Sequence, residues 1–424
     1  MLTREENDLL TQTNRGTPMG DLMRRYWTPA LFSEQLPEPD CAPLRVRLLG
    51  EDLVGFRDSS GRVGLLGQHC PHRGASLFFG RNEECGLRCV YHGWKFDVSG
   101  QCIEMPNEPP ESNFKHKIQA AAYPCVERGG IIWTYMGPPD LKPGEPEYAF
   151  CQVPPSQRFA TRHTQECNWL QALEGGQDTA HVPFLHLGDR VIDRDREGDV
   201  MEWMPKGIKF HYEPTPAEYG LLIGQKRSLD ADRDSWTLTP FLMPWYKVIS
   251  PLRPDGLIGY HAWVPIDDEH CMAWSIEYHP SRDITEDELE EARSYRHIHL
   301  ENIPGTDTTV WNAGNDYGID RTLQRSRRSF TGIWGVGLQD TAMQECAGPI
   351  YDRTTEHLGT SDVPLIAMRK CLLDAVRGGE LLGLDPASQH AKCGSVVVPK
   401  GTPFLDAADH AGYVKREEVA SAGG

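Results

Sequence analysis

Cys70-Pro71-His72-Arg73-Gly74 and, with sixteen residues between His72 and it, Cys89-Val90-Tyr91-His92-Gly93-Trp94 decide how this chain is read. Each segment offers one thiol and one imidazole, spaced C-x-H and C-x-x-H, on what reads as a tight loop after a short strand. Two thiolates and two imidazoles in this order suit a [2Fe–2S] cluster with cysteines on one iron and histidines on the other, the Rieske arrangement. The alternative is a Cys₂His₂ zinc site, but paired zinc ligands are usually two or more residues apart, and C-x-H is cramped around one tetrahedral ion. Cys85 reads as a packed thiol rather than a further ligand.

Working outward, the 424 residues are 39% hydrophobic and 25% charged, enough for two or three domains at about 150 residues each. Forty-three basic against 61 acidic side chains give a formal charge of −18, which argues against nucleic acid or an anionic membrane as partner. The charged start, Met1-Leu2-Thr3-Arg4-Glu5-Glu6-Asn7, is no export signal, and no apolar run approaches the roughly 18 residues needed to span a bilayer. A cytoplasmic protein is expected, its twelve cysteines kept as thiols apart from those recruited to metal. Residues 1–40 read as a helical entry segment, 41–145 as the β domain that carries the cluster loops, and 146–424 as a larger second domain. In that domain short apolar runs at 208–212, 221–224, 236–249, 257–264 and 272–278 predict strands, with a turn at Asp267-Asp268-Glu269 that makes neighbours antiparallel. Thr285-x-x-Glu288 opens one helix as a capping box, and Asp362 with Pro364 opens another that Gly378-Gly379 ends. The class is therefore α+β, with an antiparallel sheet and helices segregated from it.

A second metal site is expected between Asn168 and His186. There Asp178, His181 and His186 stand at offsets zero, three and eight. Residues five apart on an ideal helix point roughly 140° from each other, so the two histidines converge only if the helix bends or ends between them, a break that Pro183 supplies. Two neutral imidazoles and one carboxylate, with adjacent positions left open, form the facial triad of non-haem Fe(II) oxygenases. Asp178 lies close enough to ligate, but its spacing also suits a hydrogen bond to His181. For the ligand, Asp340 in Gly337-Leu338-Gln339-Asp340 is preferred and Glu345 is second.

The cluster loops and the segment 168–186 resemble those of Rieske non-haem iron ring-hydroxylating oxygenases. From Gly16-Thr17-Pro18-Met19-Gly20 to Asp352-Arg353 the chain is similar to the phthalate 4,5-dioxygenase type of oxygenase component. The resemblance implies a Rieske domain inserted near the N-terminus of a helix-grip catalytic domain, with the segment 1–40 packing on the catalytic domain, and a homotrimer or a hexamer of stacked trimers. It implies that Cys70, His72, Cys89 and His92 hold the cluster and that His181, His186 and Asp340 hold mononuclear Fe(II). It further implies that Asp178 bridges to His72 or His92 of a neighbouring subunit. It also implies a partner reductase carrying flavin and an iron–sulfur centre and drawing on NADH. That fits the chain, where Gly335-Val336-Gly337 lacks the third glycine and the following helix of a dinucleotide site.

The expected reaction is the addition of O₂ to an aromatic carboxylate (phthalate, isophthalate or a substituted benzoate) to give a cis-dihydrodiol. Monooxygenation or O-demethylation by the same iron, and bare electron carriage, are the alternatives. An aromatic carboxylate needs an apolar slot with a cationic clamp. Lys206, Lys209, Arg227, Lys247 and Arg253 are candidates, with Arg227 and Lys247 foremost. Trp245 and Tyr246 would wall the ring or fill the core, and His297 and His299 read as surface groups of a charged helix.

Overall fold

The computed structural model describes residues 1–189, 198–209, 211–251 and 255–410. Two compact units emerge, Gln12–Glu147 on one side and Met1–Thr11 with Tyr148–Gly424 on the other. The entry segment 1–40 is therefore shared between them. The helix Arg4–Thr11 is tied into the C-terminal unit: Asn168 and Trp169 donate side-chain hydrogen bonds to the Thr11 and Leu10 carbonyls at 2.9 and 3.2 Å. Trp27–Phe32, by contrast, pairs with Ile131–Tyr135 inside the N-terminal unit.

The N-terminal unit is built from three antiparallel sheets. Leu44–Leu48 shows the two-residue period that makes such a sheet, with Val46 and Leu48 buried and Arg45 and Arg47 outward. It turns into Glu51–Arg57 through Leu49-Gly50, both at positive φ, the backbone that a two-residue hairpin requires. Val54, Phe56, Leu66, Leu87 and Phe96 form the core, and Cys70 and Cys89 are sunk into it.

In the C-terminal unit one antiparallel sheet runs Arg158–Gln165, Cys271–Tyr278, Ile258–Pro265, Tyr246–Ile249, Arg233–Leu242, Gly220–Ser228 and His211–Ala217, and Gly394–Pro399 pairs with Arg233–Leu242. The run expected as one strand over 236–249 is two, because the chain turns at Met243-Pro244, where proline has no N–H for a ladder. The expected strand 208–212 begins only at His211. Among the described residues no helix is long and apolar enough to cross a membrane.

The helix Trp169–Gln177, capped by the Asn168 side chain, packs against Ile258–Pro265 and the helix Val336–Glu345. Its last turn contains Gly175 and Gly176, where a Cβ would lie 2.3 Å from Gln344 Nε2 and 2.0 Å from the Trp263 ring. One turn before Asp178, buried Glu174 accepts from Arg353 Nε at 2.8 Å and Arg369 Nε at 2.6 Å, and Arg369 also pairs with Glu356. His299 is not a surface group. The charged helix ends at Arg293, and His299 is fully buried between Thr161, at 2.7 Å, and Glu277, at 3.2 Å.

Candidate active site

The two cysteine–histidine loops have one geometry. Cys70 N–H donates to Ala75 O at 2.8 Å and Gly74 N–H to Cys70 O at 2.9 Å; Cys89 N–H donates to Trp94 O at 2.8 Å and Gly93 N–H to Cys89 O at 2.9 Å. Gly74 and Gly93 close the loops at φ of +73° and +80°, a region that side chains with a Cβ disfavour. The thiols face the core, whereas His72 and His92 are partly exposed, with ring centroids 4.3 Å apart. His72 stacks on Trp94 at 4.3 Å, and Trp94 is anchored through its indole N–H to Asn107 at 2.7 Å.

This donor set fits a Rieske cluster on two counts. The Nδ1 of His72 is buried without a hydrogen-bond partner among the described residues, as a nitrogen that serves a metal would be. Burial pushes the Cys70 thiol up to about 11, and the neighbouring Cys89 adds to it, so its thiolate requires a cation to take the charge.

In the C-terminal unit His181, His186 and Asp340 converge. Their donor atoms form a near-equilateral triangle: His181 Nε2 to His186 Nε2 is 3.1 Å, and each lies 3.2 Å from Asp340 Oδ1. Three mutually adjacent donors about 2.1 Å from one ion stand about 3.0 Å apart, so the triangle fits a first-row metal bound on one octahedral face. Both outer ring nitrogens are held. Asp178 Oδ2 faces His181 Nδ1 at 3.2 Å, and Gln339 Oε1 faces His186 Nδ1 at 2.8 Å, which leaves the Nε2 lone pairs directed into the triangle. Burial works against a proton on His181, but Asp178 and Asp340 outweigh it and lift the ring to about 9. Burial likewise opposes the Asp340 charge, and the imidazoles of His186 and His181 still hold its carboxyl below the usual range. The attraction that draws a proton here is what the site offers a dication.

The convergence does not come from a break at Pro183. That residue sits in the first turn of a separate short helix, Val182–Leu185, where proline is well tolerated, and His181 and His186 flank it at either end. The long helix stops earlier, at Asp178. Glu345 turns away from the metal triangle: its carboxylate accepts from Glu166 N–H at 2.9 Å and Tyr317 O–H at 2.5 Å. Gln339, which stands beside Asp340 and meets His186, is a residue of the candidate site to which the sequence reading gave no role.

A cavity of about 360 Å³ opens beside the triangle, between the sheet and the helices, with Trp263, Ile249, Leu300 and Val336 among its walls. Lys247 reaches into it from Tyr246–Ile249, buried, with its ammonium donating to Gly176 O. Burial brings Lys247 down to about 8 against the pull of Asp178 and Asp340. Arg227 is not part of this site; it is exposed near the end of the hairpin that joins Gly220–Ser228 to Arg233–Leu242. Lys206 and Lys209 are exposed too, and Arg253 lies outside the described residues. Trp245 and Tyr246 are core side chains.

An antiparallel β unit with paired cysteine–histidine loops, joined in sequence to an α+β unit with a two-histidine, one-carboxylate face, defines a class of two-site iron oxygenases. Residues 26–124 match the Rieske [2Fe-2S] domain family, and residues 134–402 match the family described as LigXa C-terminal domain like. Over 421 residues the chain is 36% identical to the 3-chlorobenzoate-3,4-dioxygenase oxygenase subunit of Comamonas testosteroni, covering 95% of this chain and 97% of that one. It is 38% identical to the phthalate 4,5-dioxygenase oxygenase subunit of Pseudomonas putida over 89% of this chain and 86% of the other. The terminal oxygenase of carbazole 1,9a-dioxygenase from Nocardioides aromaticivorans IC177 shares the fold, with a TM-score of 0.58 at 18% identity over 88% of this chain and 97% of that one. The chain belongs to the Rieske non-haem iron oxygenases, whose cofactors are a Rieske [2Fe–2S] cluster and a mononuclear iron. Bare electron carriage is thereby set aside.

Proposed function

We propose that this chain is the oxygenase component of a multicomponent dioxygenase that converts an aromatic carboxylate to a cis-dihydrodiol. Its electrons would come from NADH through a flavin and iron–sulfur reductase. The observation that carries the reading is the conjunction in one cavity of a three-donor metal face, apolar walls and a buried ammonium. Cys70, His72, Cys89 and His92 would hold the cluster, and His181, His186 and Asp340 the mononuclear iron. When bound, these groups supply single electrons and the activation of O₂.

The remaining work falls to the chain. Asp178 and Gln339 fix the ring orientation of the two histidines. The apolar walls keep bulk water from the reacting ring and strengthen the field of any charge inside. Among the candidates that fall on described residues, Lys247 lines the cavity, and an ammonium there pairs with a substrate carboxylate as a point charge. Asp178, beside His181 and part-exposed, is assigned as the bridge to His72 or His92 of a neighbouring subunit in a trimer or a hexamer of stacked trimers. Similarity to oxygenase subunits that act on chlorobenzoate and phthalate supports an aromatic acid as substrate.

Purified oxygenase with an NADH-dependent reductase, given a panel of aromatic acids under ¹⁸O₂, tests the reaction. Both labelled atoms in a dihydrodiol are expected, and a single labelled atom or formaldehyde release contradicts dioxygenation. The Asp178→Asn variant is expected to keep the cluster's visible spectrum while coupled product falls by two orders of magnitude or more, roughly. Full turnover in that variant removes the bridge role.

A further inference from the structure

The cavity holds a polar side chain that neither the metal face nor Lys247 uses. His163, on Arg158–Gln165, lines the same cavity as His181 and Lys247 and is 3% exposed, yet its Nε2 has no hydrogen-bond partner among the described residues. Buried polar atoms are nearly always paired. The neighbouring groups are: His261 Nε2 meets Ser275 Oγ at 2.6 Å, Ser275 donates on to Ile298 O at 3.0 Å, and His299 spans Thr161 and Glu277. His163 thus brings an unpaired hydrogen-bonding atom to the lining of a cavity that admits a ligand.

Its place in the sheet sets what that ligand must be. Lys247 lies opposite His261, His261 opposite Ser275, and Ser275 opposite Thr161, with His163 two residues further along the last strand and so on the same face. Three strand spacings of about 4.8 Å, with two residues of about 3.4 Å each along the last strand, put the backbones of Lys247 and His163 about 16 Å apart, and both side chains line the one cavity. Substituents on adjacent ring carbons can satisfy only one of the two; substituents on opposite sides of the ring can satisfy both. Burial, with His299 nearby, brings His163 down to about 4, so its ring is a neutral donor or acceptor at neutral pH.

We propose that His163 is the second recognition point of the substrate cavity: with an aromatic acid's carboxylate at Lys247, His163 Nε2 hydrogen-bonds an oxygen substituent meta or para to it. This rests on the aromatic-acid reading above and narrows it to hydroxybenzoates and meta- or para-dicarboxylates, away from ortho-substituted acids.

The holoenzyme with its reductase is assayed on benzoate, 3-hydroxybenzoate, 4-hydroxybenzoate, isophthalate and phthalate for coupled product. In the wild type, kcat/KM for at least one meta- or para-substituted acid is expected to exceed that for benzoate and for phthalate by roughly tenfold or more. His163→Phe is expected to lower that ratio roughly tenfold, through KM rather than kcat, and His163→Gln, which returns a polar group near the same point, to restore most of it. An unchanged ratio in His163→Phe, an equal loss on benzoate, or a wild-type preference for phthalate overturns the role of His163 and leaves the aromatic-acid reading standing. Failure of the wild type to convert any acid of the panel removes that reading and this inference together.

Discussion

Gln339 shows what one side chain does for the metal face. Its Oε1 holds His186 at 2.8 Å, and its amide nitrogen is spread over Asp189, Thr331 and the Ile333 carbonyl, so the acceptor cannot swing away. Gln339→Leu is expected to weaken iron binding at the mononuclear site by roughly 10- to 100-fold, measured by iron titration of the metal-stripped protein, with the cluster's absorbance retained. The cysteines and histidines were legible in the sequence because their chemistry and spacing are rare. Gln339 was not, since nothing local says that its amide faces a histidine 153 residues earlier in the chain. Asp340 and Glu345 were separable only in space, because five residues along a helix point them to different sides.

At the level of elements, the helix Trp169–Gln177 positions the site, and its packing depends on two missing side chains. A Cβ at Gly176 would sit 2.0 Å from the Trp263 ring, which is locked against the sheet. Gly176→Ala should therefore lower stability by about 1–3 kcal/mol, seen as a drop in Tm. The same helix is fastened by Glu174. Burial raises its pKa, but Arg353 and Arg369 prevail and hold it below the ordinary 4.5. A carboxylate with a depressed folded pKa stabilises fully above pH 4.5 and loses that contribution as pH falls through the folded value. Tm is accordingly expected to decline below that pH, and Glu174→Gln, which takes the carboxylate from buried Arg353 and leaves Arg369 with Glu356, to cost about 3–5 kcal/mol at neutral pH with a shallower acid decline. Strand and cap signals revealed most of these elements. The end of the helix at Asp178 and the burial of His299 were hidden, because both are set by partners distant in sequence, Trp263, Thr161 and Glu277 among them.

On the scale of the whole molecule, the proposal requires electrons to pass between subunits. Co-assembled chains carrying His72→Ala and His181→Ala should recover part of the activity that each lacks alone, and no recovery would mean that transfer stays within one chain. The two-part plan was legible because each part carries its own metal-binding motif and the composition changes between them. The substrate was not, since Lys247, Arg227 and Arg253 look alike as letters and only burial separates the first two. The most direct test of the account is a count of iron, acid-labile sulfide and zinc in the purified chain and in His181→Ala. About three irons and two sulfides per chain are expected, falling to about two irons with sulfide unchanged in the variant. Zinc in place of the cluster, or an iron content that His181→Ala leaves untouched, would contradict it.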